Sequence, residues 1–232
     1  MVAVRKSLPI AMTLDVARQI IGGDLGKTSK MPGPSWGISA DECDRGRALA
    51  QVADSVCGRC YAKRHRYVTG VVRACHARRL AALQHPRWVD AMAFLIRCYA
   101  NGGYFRWFDA GDLQSPHHLG QIVDVCRKTP RVRHWLPTHE PFVVGAYLDS
   151  GHTLPDNLCV RISADLIEDR STTPTWGLPT GTVHRHRGEP VPAASGERRE
   201  SIECRAYERG GVCGACRACW DPRVANVSYP LK

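Results

Sequence analysis

The sequence predicts an α/β protein with a parallel sheet and a cysteine-rich, metal-binding C-terminal segment. Strand-like and helix-like segments alternate between residues 104 and 165, which is typical of parallel βαβ units. The C-terminal part instead carries four closely spaced cysteines. A chain of 232 residues that is 44% hydrophobic can bury a large core, so disorder is excluded for most of its length.

The predicted elements follow in order along the chain. Residues 13–21 form a short helix capped by Thr13, and residues 24–40 form a loop rich in glycine and proline. A helical pattern covers 57–84, with Gly70 as a point where it can break, and another helix runs from Pro86 to about Tyr99. The alternating region is predicted as strand 104–110, helix 115–129 capped by Ser115, strand 132–138, helix 140–150 and strand 157–165, with weaker strands at 181–186 and 225–229.

The chain divides into two parts by composition. Residues 1–186 form an α/β catalytic domain, with a helical and cysteine-containing region at its start. Residues 187–232 contain a mobile loop at 187–201, the cysteine-rich segment and a final strand.

Acidic and imidazole side chains follow three successive predicted strands. Asp109 and Asp112 follow the first, His139 and Glu140 the second, and Asp165 the third. Each alone is a common helix cap or loop residue. Because parallel strands deliver their carboxyl ends to one edge, the set predicts a ligand site there. Asp109 is the strongest candidate, because the small residues that follow it permit a ligand to approach closely.

The eleven cysteines indicate metal binding rather than a disulfide framework. The N-terminal residues contain no signal-peptide core, so we expect a cytoplasmic protein with reduced thiols. The clearest group has the spacing C-x8-C-x2-C-x2-C and consists of Cys204, Cys213, Cys216 and Cys219. Four thiolates at this spacing predict a zinc site, and a [4Fe–4S] cluster is the alternative.

A second candidate metal group contains Cys43, Cys57 and Cys60. The last two have the spacing of a metal-binding pair, but the fourth ligand is open. Cys75 completes the group only if the intervening helix breaks. The spacing differs from the CxxxCxxC loop of radical SAM enzymes.

The formal net charge of +10 favours a polyanionic partner. Residues 59–79 contain a basic run without an acidic residue, in which Arg59, Lys63 and Arg66 are predicted on one helix face and Arg73 follows. A solvated helix face usually mixes both signs, so this run predicts contacts to nucleic-acid phosphates. No apolar run is long enough to span a bilayer, and no membrane partner is expected.

The stretch Asp109-Ala-Gly-Asp-Leu-Gln114 resembles the Asp-Ser-Gly-Gly-Phe-Gln signature of tRNA-guanine transglycosylases. These are (β/α)-barrel enzymes with a C-terminal zinc site, and a phage branch inserts 7-deazaguanines into DNA. Most of the chain also resembles a phage family of small proteins known by a gene-product number, through KxSKMPGPS, CxxCYA, a strand ending in AGD and a cysteine-rich tail.

The resemblance implies a transferase with a reduced TIM barrel, because the chain is shorter than a usual transglycosylase. It would exchange guanine for a 7-deazaguanine, in DNA in preference to tRNA. Asp109 would be the acid/base or base-recognition group. Asp165 is the candidate nucleophile, and a base pocket would use the remaining side chains of this edge: Asp112, Gln114, His139 and Glu140.

Two other functions stay open. One is a noncatalytic nucleic-acid-binding protein with zinc or an Fe–S cluster, and the other is a radical or redox Fe–S enzyme. The sequence leaves the incoming base, the target motif and the oligomeric state open.

Overall fold

The computed structural model describes residues 11–169, 174–192 and 201–231. Its helices are α1 Leu14–Ile20, α2 Asp44–Leu49, α3 Gly70–Ala82, α4 Trp88–Tyr99, α5 Pro116–Lys128 and α6 Pro141–Asp149. Its strands are β1 Ser35–Trp36, β2 Tyr104–Trp107, β3 Arg133–Thr138, β4 Leu158–Ser163, β5 Thr180–His184, β6 Ser201–Glu203 and β7 Asn226–Pro230.

All seven strands belong to one parallel sheet in the order β1-β2-β3-β4-β5-β7-β6. The predicted α/β class with parallel βα units is therefore confirmed. Within the described residues the sheet is open, with β1 and β6 at its two edges. The segments β2-α5-β3-α6-β4 place three consecutive strands side by side, so their carboxyl ends lie next to one another.

Several helix starts follow directly from capping chemistry. Ser115 Oγ accepts a hydrogen bond from His118 N at 3.1 Å, and Pro116 is the first residue of α5. Thr13 caps α1 by accepting from Val16 N at 3.3 Å. Both predicted caps are confirmed.

The helical pattern predicted for residues 57–84 is confirmed from Gly70, the predicted break point, but is wrong for residues 57–68. Residues 57–68 form three short 3₁₀ turns, and α3 begins only at Gly70. Arg64 is extended and His65 has a positive φ of 53°, which a helix cannot accommodate. Arg59, Lys63 and Arg66 therefore do not share a helix face.

Two short strands lie where loops were predicted. β1 lies inside the predicted 24–40 loop, and Ser201, the last residue of the predicted 187–201 loop, begins β6. The part of that loop at 193–200 lies outside the described residues. Both strands are two or three residues long, too short to give a periodic pattern.

The two faces of the sheet differ in character. One face is apolar and packs against α1, α4, α5 and α6 in a core that includes Phe105, Trp107, Leu136, Val160 and Ile162. This is the usual burial of a parallel sheet under its crossover helices.

The opposite face is covered by the C-terminal segment. The ring of Trp220 lies 5.2 Å from Trp135 and 5.5 Å from Tyr104, measured between centroids. Its Nε1 donates to Phe105 O at 2.8 Å. The cysteine-rich segment is thus packed against the sheet. In the described part of the chain, no helix is both long and apolar enough to cross a membrane.

Candidate functional site

Four predicted site residues lie at the carboxyl edge of the sheet, directly after three adjacent strands. Asp109 follows β2, His139 and Glu140 follow β3, and Asp165 follows β4. Since β2, β3 and β4 are neighbours in the sheet, the exits of β2 and β4 are two strand spacings apart, roughly 10 Å. This edge is the candidate site.

The carboxylate of Asp109, at this edge, has unusual surroundings. Phe108, directly before it, has a φ of 51°, a strained conformation for an aromatic residue. Asp109 Oδ1 is buried and has no hydrogen-bond partner among the described residues. A Cβ at Gly37 would lie 3.1 Å from this oxygen and 2.4 Å from Ala110 O, so only glycine permits the close approach of these segments.

Two tyrosines and an arginine surround Asp109. Tyr67 Oη lies 3.4 Å from Asp109 Oδ2, and Tyr61 donates to Asp109 O at 2.7 Å. Arg106 Nη2 in turn donates to Tyr61 Oη at 3.0 Å. Burial, with the Asp109 charge, raises the pKa of Tyr67 above its ordinary range, so its hydroxyl keeps its proton.

A buried histidine lies behind Tyr67. The ring of His76 stacks on Tyr67 at 6.4 Å between centroids. Burial, assisted by the charge of Arg79, lowers the pKa of His76, which favours the neutral imidazole. The Asp109 carboxylate therefore lies among polar aromatic groups.

Asp112 connects the exits of two strands. Its Oδ1 accepts from Thr138 Oγ1 at 2.6 Å and from Leu113 N at 2.8 Å, and its Oδ2 accepts from His139 N at 2.7 Å. Burial raises the pKa of Asp112, against the lowering effect of these hydrogen bonds. Both oxygens are engaged within the protein, so this side chain braces the loop after β2 against the loop after β3.

Gln114 and Glu140 connect the edge to the segment that contains α2. Gln114 Nε2 donates to Glu42 O at 3.1 Å, and Arg45 N donates to Glu140 Oε1 at 2.9 Å. Burial raises the pKa of the Glu140 carboxyl. These contacts hold the region before Cys57 over the carboxyl edge.

Asp165 is held by a guanidinium. Arg45 Nε lies 3.3 Å from Asp165 Oδ1, and Nη2 bonds to Oδ2, forming a bidentate ion pair. Burial alone would raise the pKa of Asp165, but His139 and Arg45 hold it below its ordinary value. Asp165 is therefore an ionised, partly accessible carboxylate. Phe142, 59% exposed, lies beside the same guanidinium, 5.6 Å from Arg45 Cζ.

His139 is also close to Asp165, with 3.9 Å between Nδ1 and Oδ1. Burial disfavours the imidazolium, yet attraction to Asp165 and to the Cys57 sulfur raises the pKa of His139 to about 10. The 3.9 Å separation is too long for a hydrogen bond, and the attraction is electrostatic.

The three cysteines of the N-terminal group come together beside this edge. Cys43 and Cys60 pack against the same small apolar cluster of Ala40, Ala62 and Ala110. Cys57 lies against α2 and next to His139. Cys75 lies elsewhere, with its Sγ 4.0 Å from Gly22 O.

The four C-terminal cysteines line one pocket on the other face of the sheet. Cys204, Cys213, Cys216 and Cys219 share it with Trp220. Burial raises the pKa of Cys219 to about 12, so its free thiol would be neutral. As the side chains stand, no three His, Cys, Asp or Glu residues in the described ranges form a closed metal-ligand set.

A buried arginine fixes this segment. Arg161 of β4 is 1% exposed, and its guanidinium makes five hydrogen bonds of 2.7–3.2 Å to main-chain carbonyls. The acceptors are Thr180, Ala218, Cys219, Asp221 and Val224. Over the described residues, no carboxylate pairs with this buried charge.

The predicted nucleic-acid-binding side chains lie on the 57–68 turns and on α3. Arg59, Arg66 and Arg73 are exposed and Lys63 is half-buried. None of them forms an ion pair with a carboxylate in the part of the chain that is described. Arg79, from the same basic run, is buried and donates to Gly37 O and Asp24 O.

A comparison with models of protein families shows the family of this chain. The model described as Gene product 88 matches residues 26–222. The chain belongs to the Gene product 88 family. The matched range contains both cysteine groups and all of the candidate residues at the carboxyl edge. No curated protein and no solved structure matches the chain. Its resemblance to the transglycosylases stays a prediction.

Some residues of the site in this Gene product 88 chain were not predicted from the sequence. Arg45, Tyr61 and Tyr67 contact candidate carboxylates or their main chain, and Arg106 donates to the hydroxyl of Tyr61. Tyr61 is the tyrosine of the CxxCYA motif, which is the one available signal. The others are distant in sequence from their partners and only tertiary packing identifies them.

Proposed function

We propose that the protein is a nucleic-acid base-exchange enzyme that replaces guanine with a 7-deazaguanine base, in DNA in preference to RNA. The observation that carries the proposal is the Asp109 carboxylate, whose buried Oδ1 lacks a partner within the described residues. An unpartnered buried oxygen is costly, and a bound purine with N–H groups would satisfy it after a shift of the Gly37 segment that covers it. The ionised Asp165 at the same edge supplies a second carboxylate.

The reaction needs a nucleophile for the sugar. A carboxylate oxygen of Asp165 attacks C1′ of the target nucleotide, and the bond from C1′ to N9 of guanine breaks. The leaving guanine takes a proton on nitrogen. The incoming deazaguanine loses the proton of its ring nitrogen and attacks C1′, which releases the carboxylate. Arg45 keeps Asp165 ionised and oriented through the bidentate pair, and the attacking oxygen would leave that pair as the bond to C1′ forms.

Asp109 is the group that would transfer protons to and from the two bases. In the first step Asp109 would give a proton to the departing guanine, and in the second step its carboxylate would take the ring-nitrogen proton of the incoming base, which returns Asp109 to its starting state. Tyr67, held protonated next to Oδ2, orients that carboxylate. Tyr61 fixes the main chain at the same residue. These contacts support a positioned acid/base group rather than a flexible surface aspartate.

The surroundings of the candidate site suit a base that is flipped out of a DNA duplex. Tyr61 is 50% exposed and Phe142 is 59% exposed, and both border the candidate site. Exposed aromatic rings beside carboxylates offer stacking surfaces for a flipped base. Asp112 and Gln114 shape the loops, since their polar groups are engaged within the protein. His139 and Glu140 remain the candidates to contact the base edge.

Nucleic-acid binding is supported by the exposed basic side chains. Arg59, Lys63 and Arg66 belong to the turns that also carry Tyr61 and Tyr67. Phosphate contacts there would hold the backbone next to the flipped nucleotide. The parallel sheet with its site at the carboxyl edge also fits a reduced TIM barrel.

A zinc ion is proposed at the C-terminal cysteines. Four thiolates around Zn²⁺ carry a net charge of −2, which would offset the buried Arg161 guanidinium that has no carboxylate partner in the described ranges. The donor set also fits a [4Fe–4S] cluster. In either case the group has a structural role, because it holds the covering segment on the sheet.

The test is an exchange assay on purified protein. Duplex DNA labelled in guanine is incubated with 7-cyano-7-deazaguanine, and released guanine is measured. We expect release by the native protein and by Asp156→Asn, an exposed aspartate before β4 at the opposite edge of the sheet. Asp165→Asn should give no release and no covalent DNA adduct. Tight DNA binding without release from any tested sequence would instead support the noncatalytic alternative.

A further inference from the structure

The loop that carries Cys57 and Cys60 spans the candidate site from one strand exit to another. At its start, Val56 N donates to Asp165 O at 2.9 Å, beyond β4. At its end, Tyr61 donates to Asp109 O at 2.7 Å, beyond β2. The exit of β3, which lies between them in the sheet, carries His139. The loop therefore runs past His139, and it contains Cys57 and Cys60.

Helix α2 brings the third cysteine to the same place. Cys43 is the residue before α2, and Gly46 lies one turn into the helix. A Cβ at Gly46 would lie 2.9 Å from Cys43 Cβ, 3.9 Å from Cys43 Sγ and 3.6 Å from Cys57 Sγ. Glycine thus leaves room for two sulfurs that are distant in sequence.

Cys60 completes the set of thiols. Cys60 and Cys43 both contact the apolar cluster of Ala40, Ala62 and Ala110, so they approach each other across it. Cys60 N donates to Cys57 O at 3.2 Å within the 3₁₀ turn, as in a tight metal-binding pair. Three thiols from two segments therefore lie in one region beside the carboxyl edge.

His139 adds an imidazole that lacks a partner. Its Nδ1 is buried without a hydrogen bond in the described residues, and its ring lies close to the Cys57 sulfur. The carboxylate of Asp165, 3.9 Å from Nδ1, occupies the place of an outer carboxylate that orients a metal-bound histidine.

We propose that Cys43, Cys57, Cys60 and His139 hold a metal centre at the carboxyl edge of the sheet, separate from the C-terminal cysteines. Three thiolates and an imidazole suit Zn²⁺ as a Cys₃His site, and the same ligands suit an Fe–S cluster. As they stand in the described residues, these side chains do not form a metal-binding group, so binding would require them to rotate toward one another. With His139 as a ligand, Glu140 would be the remaining candidate to contact the base edge. The metal site itself does not depend on base exchange, since it rests on these four side chains alone.

The experiment measures metal content in full-length protein purified without oxygen. Native protein should contain one metal centre more than Cys57→Ser/Cys60→Ser, and His139→Gln should bind its metal more weakly. Cys98→Ser, which changes an exposed cysteine of α4, is the matched control and should keep the native content. Zinc alone with no visible absorption indicates the Cys₃His ion, whereas iron with sulfide and visible absorption indicates the cluster.

A second readout covers variants that fail to fold. Native protein is alkylated before and after a chelator, and each cysteine is followed by mass spectrometry. Cys43, Cys57 and Cys60 should be protected until metal is removed, while Cys98 reacts throughout. Equal metal content in a folded Cys57→Ser/Cys60→Ser variant would overturn the proposal. So would alkylation of the three thiols at the same rate with and without chelator, or a Cys57–Cys60 disulfide in native protein.

Discussion

Tyr67 Oη lies 3.4 Å from Asp109 Oδ2, while the other oxygen of the same carboxylate is buried and has no partner in the described residues. Only one of the two carboxylate oxygens, Oδ2, therefore has a hydrogen-bond partner in the described residues. A group held in this way has spare bonding capacity for a ligand. This relationship is the basis of the first prediction.

Asp109→Asn should lower base exchange by about 10²–10⁴-fold, on the scale of a lost acid/base group. The free energy of unfolding should change little, because asparagine keeps the size of the side chain and its contact with the Tyr67 hydroxyl. Exchange rates and thermal unfolding are measured on the same preparation, with Asp156→Asn as the control. A destabilised but fully active Asp109→Asn protein would mean that the side chain only supports the turn.

The C-terminal cysteines should hold one metal centre. Cys213→Ser or Cys216→Ser should lose it and unfold at lower denaturant concentration, because metal binding is coupled to folding and Arg161 then keeps a buried, uncompensated charge. Elemental analysis and denaturant unfolding provide the measurement, with Cys98→Ser as control. Absence of zinc and iron from anaerobically purified native protein would exclude the site.

Binding to duplex DNA should weaken steeply with salt. Lys63→Ala and Arg66→Ala should each reduce the slope of log affinity against log salt by roughly one. Arg127→Ala, which removes an equal charge from the ion pair with Asp124 on α5, should leave the slope unchanged. Fluorescence anisotropy at several salt concentrations gives the slopes. Binding that is insensitive to salt would argue against phosphate contacts.

Two buried histidines should make the fold acid-sensitive. Burial, assisted for His118 by the charge of His117, lowers the pKa of His118 and of His134 to about 3 each. The unfolded chain takes up these protons below about pH 6.5, whereas the native state does so only near pH 3. The free energy of unfolding therefore falls as pH drops between those values.

His118→Phe should remove one of these two contributions. His118 packs among aromatic rings, at 6.0 Å from Trp88 and 5.7 Å from Phe108, so phenylalanine keeps these contacts and loses only the 3.4 Å hydrogen bond from Gln114 N. Between pH 6 and 4 the slope of stability against pH should fall by about 1.4 kcal/mol per pH unit. Urea unfolding across that range measures it. The exposed His117→Phe should leave the slope as it is, and an equal slope in His118→Phe would contradict the prediction.

The sequence predicted the elements with strong local signals. β2, β3 and β4 and the helices between them have clear periodicity, and Ser115 and Pro116 mark the start of α5. Once a strand is assigned, the residues that follow its carboxyl end are known as well. Asp109, His139 and Asp165 could therefore be assigned to one edge from strand and helix patterns alone.

Other features depend on tertiary contacts that leave no local signal. Residues 57–68 include arginine, lysine and alanine, which favour helix, yet the segment is anchored just beyond two distant strands. Val56 N, directly before it, donates to Asp165 O, and the Tyr61 hydroxyl donates to Asp109 O. Arg45 forms its ion pair across 120 residues of sequence. Asp112 was predicted as a base-binding group, but the structure engages both of its oxygens, which spacing alone could not reveal.

The most direct test of base exchange is nucleoside mass spectrometry of DNA from cells that express the protein and receive a 7-deazaguanine supply. We predict a 7-deazaguanine deoxynucleoside, with a matching loss of deoxyguanosine, in cells with the native protein or with Asp156→Asn. Cells with Asp109→Asn or Asp165→Asn should contain little or none. Unmodified DNA in cells that accumulate folded native protein and the free base, or equal modification with Asp165→Asn, would contradict the proposal.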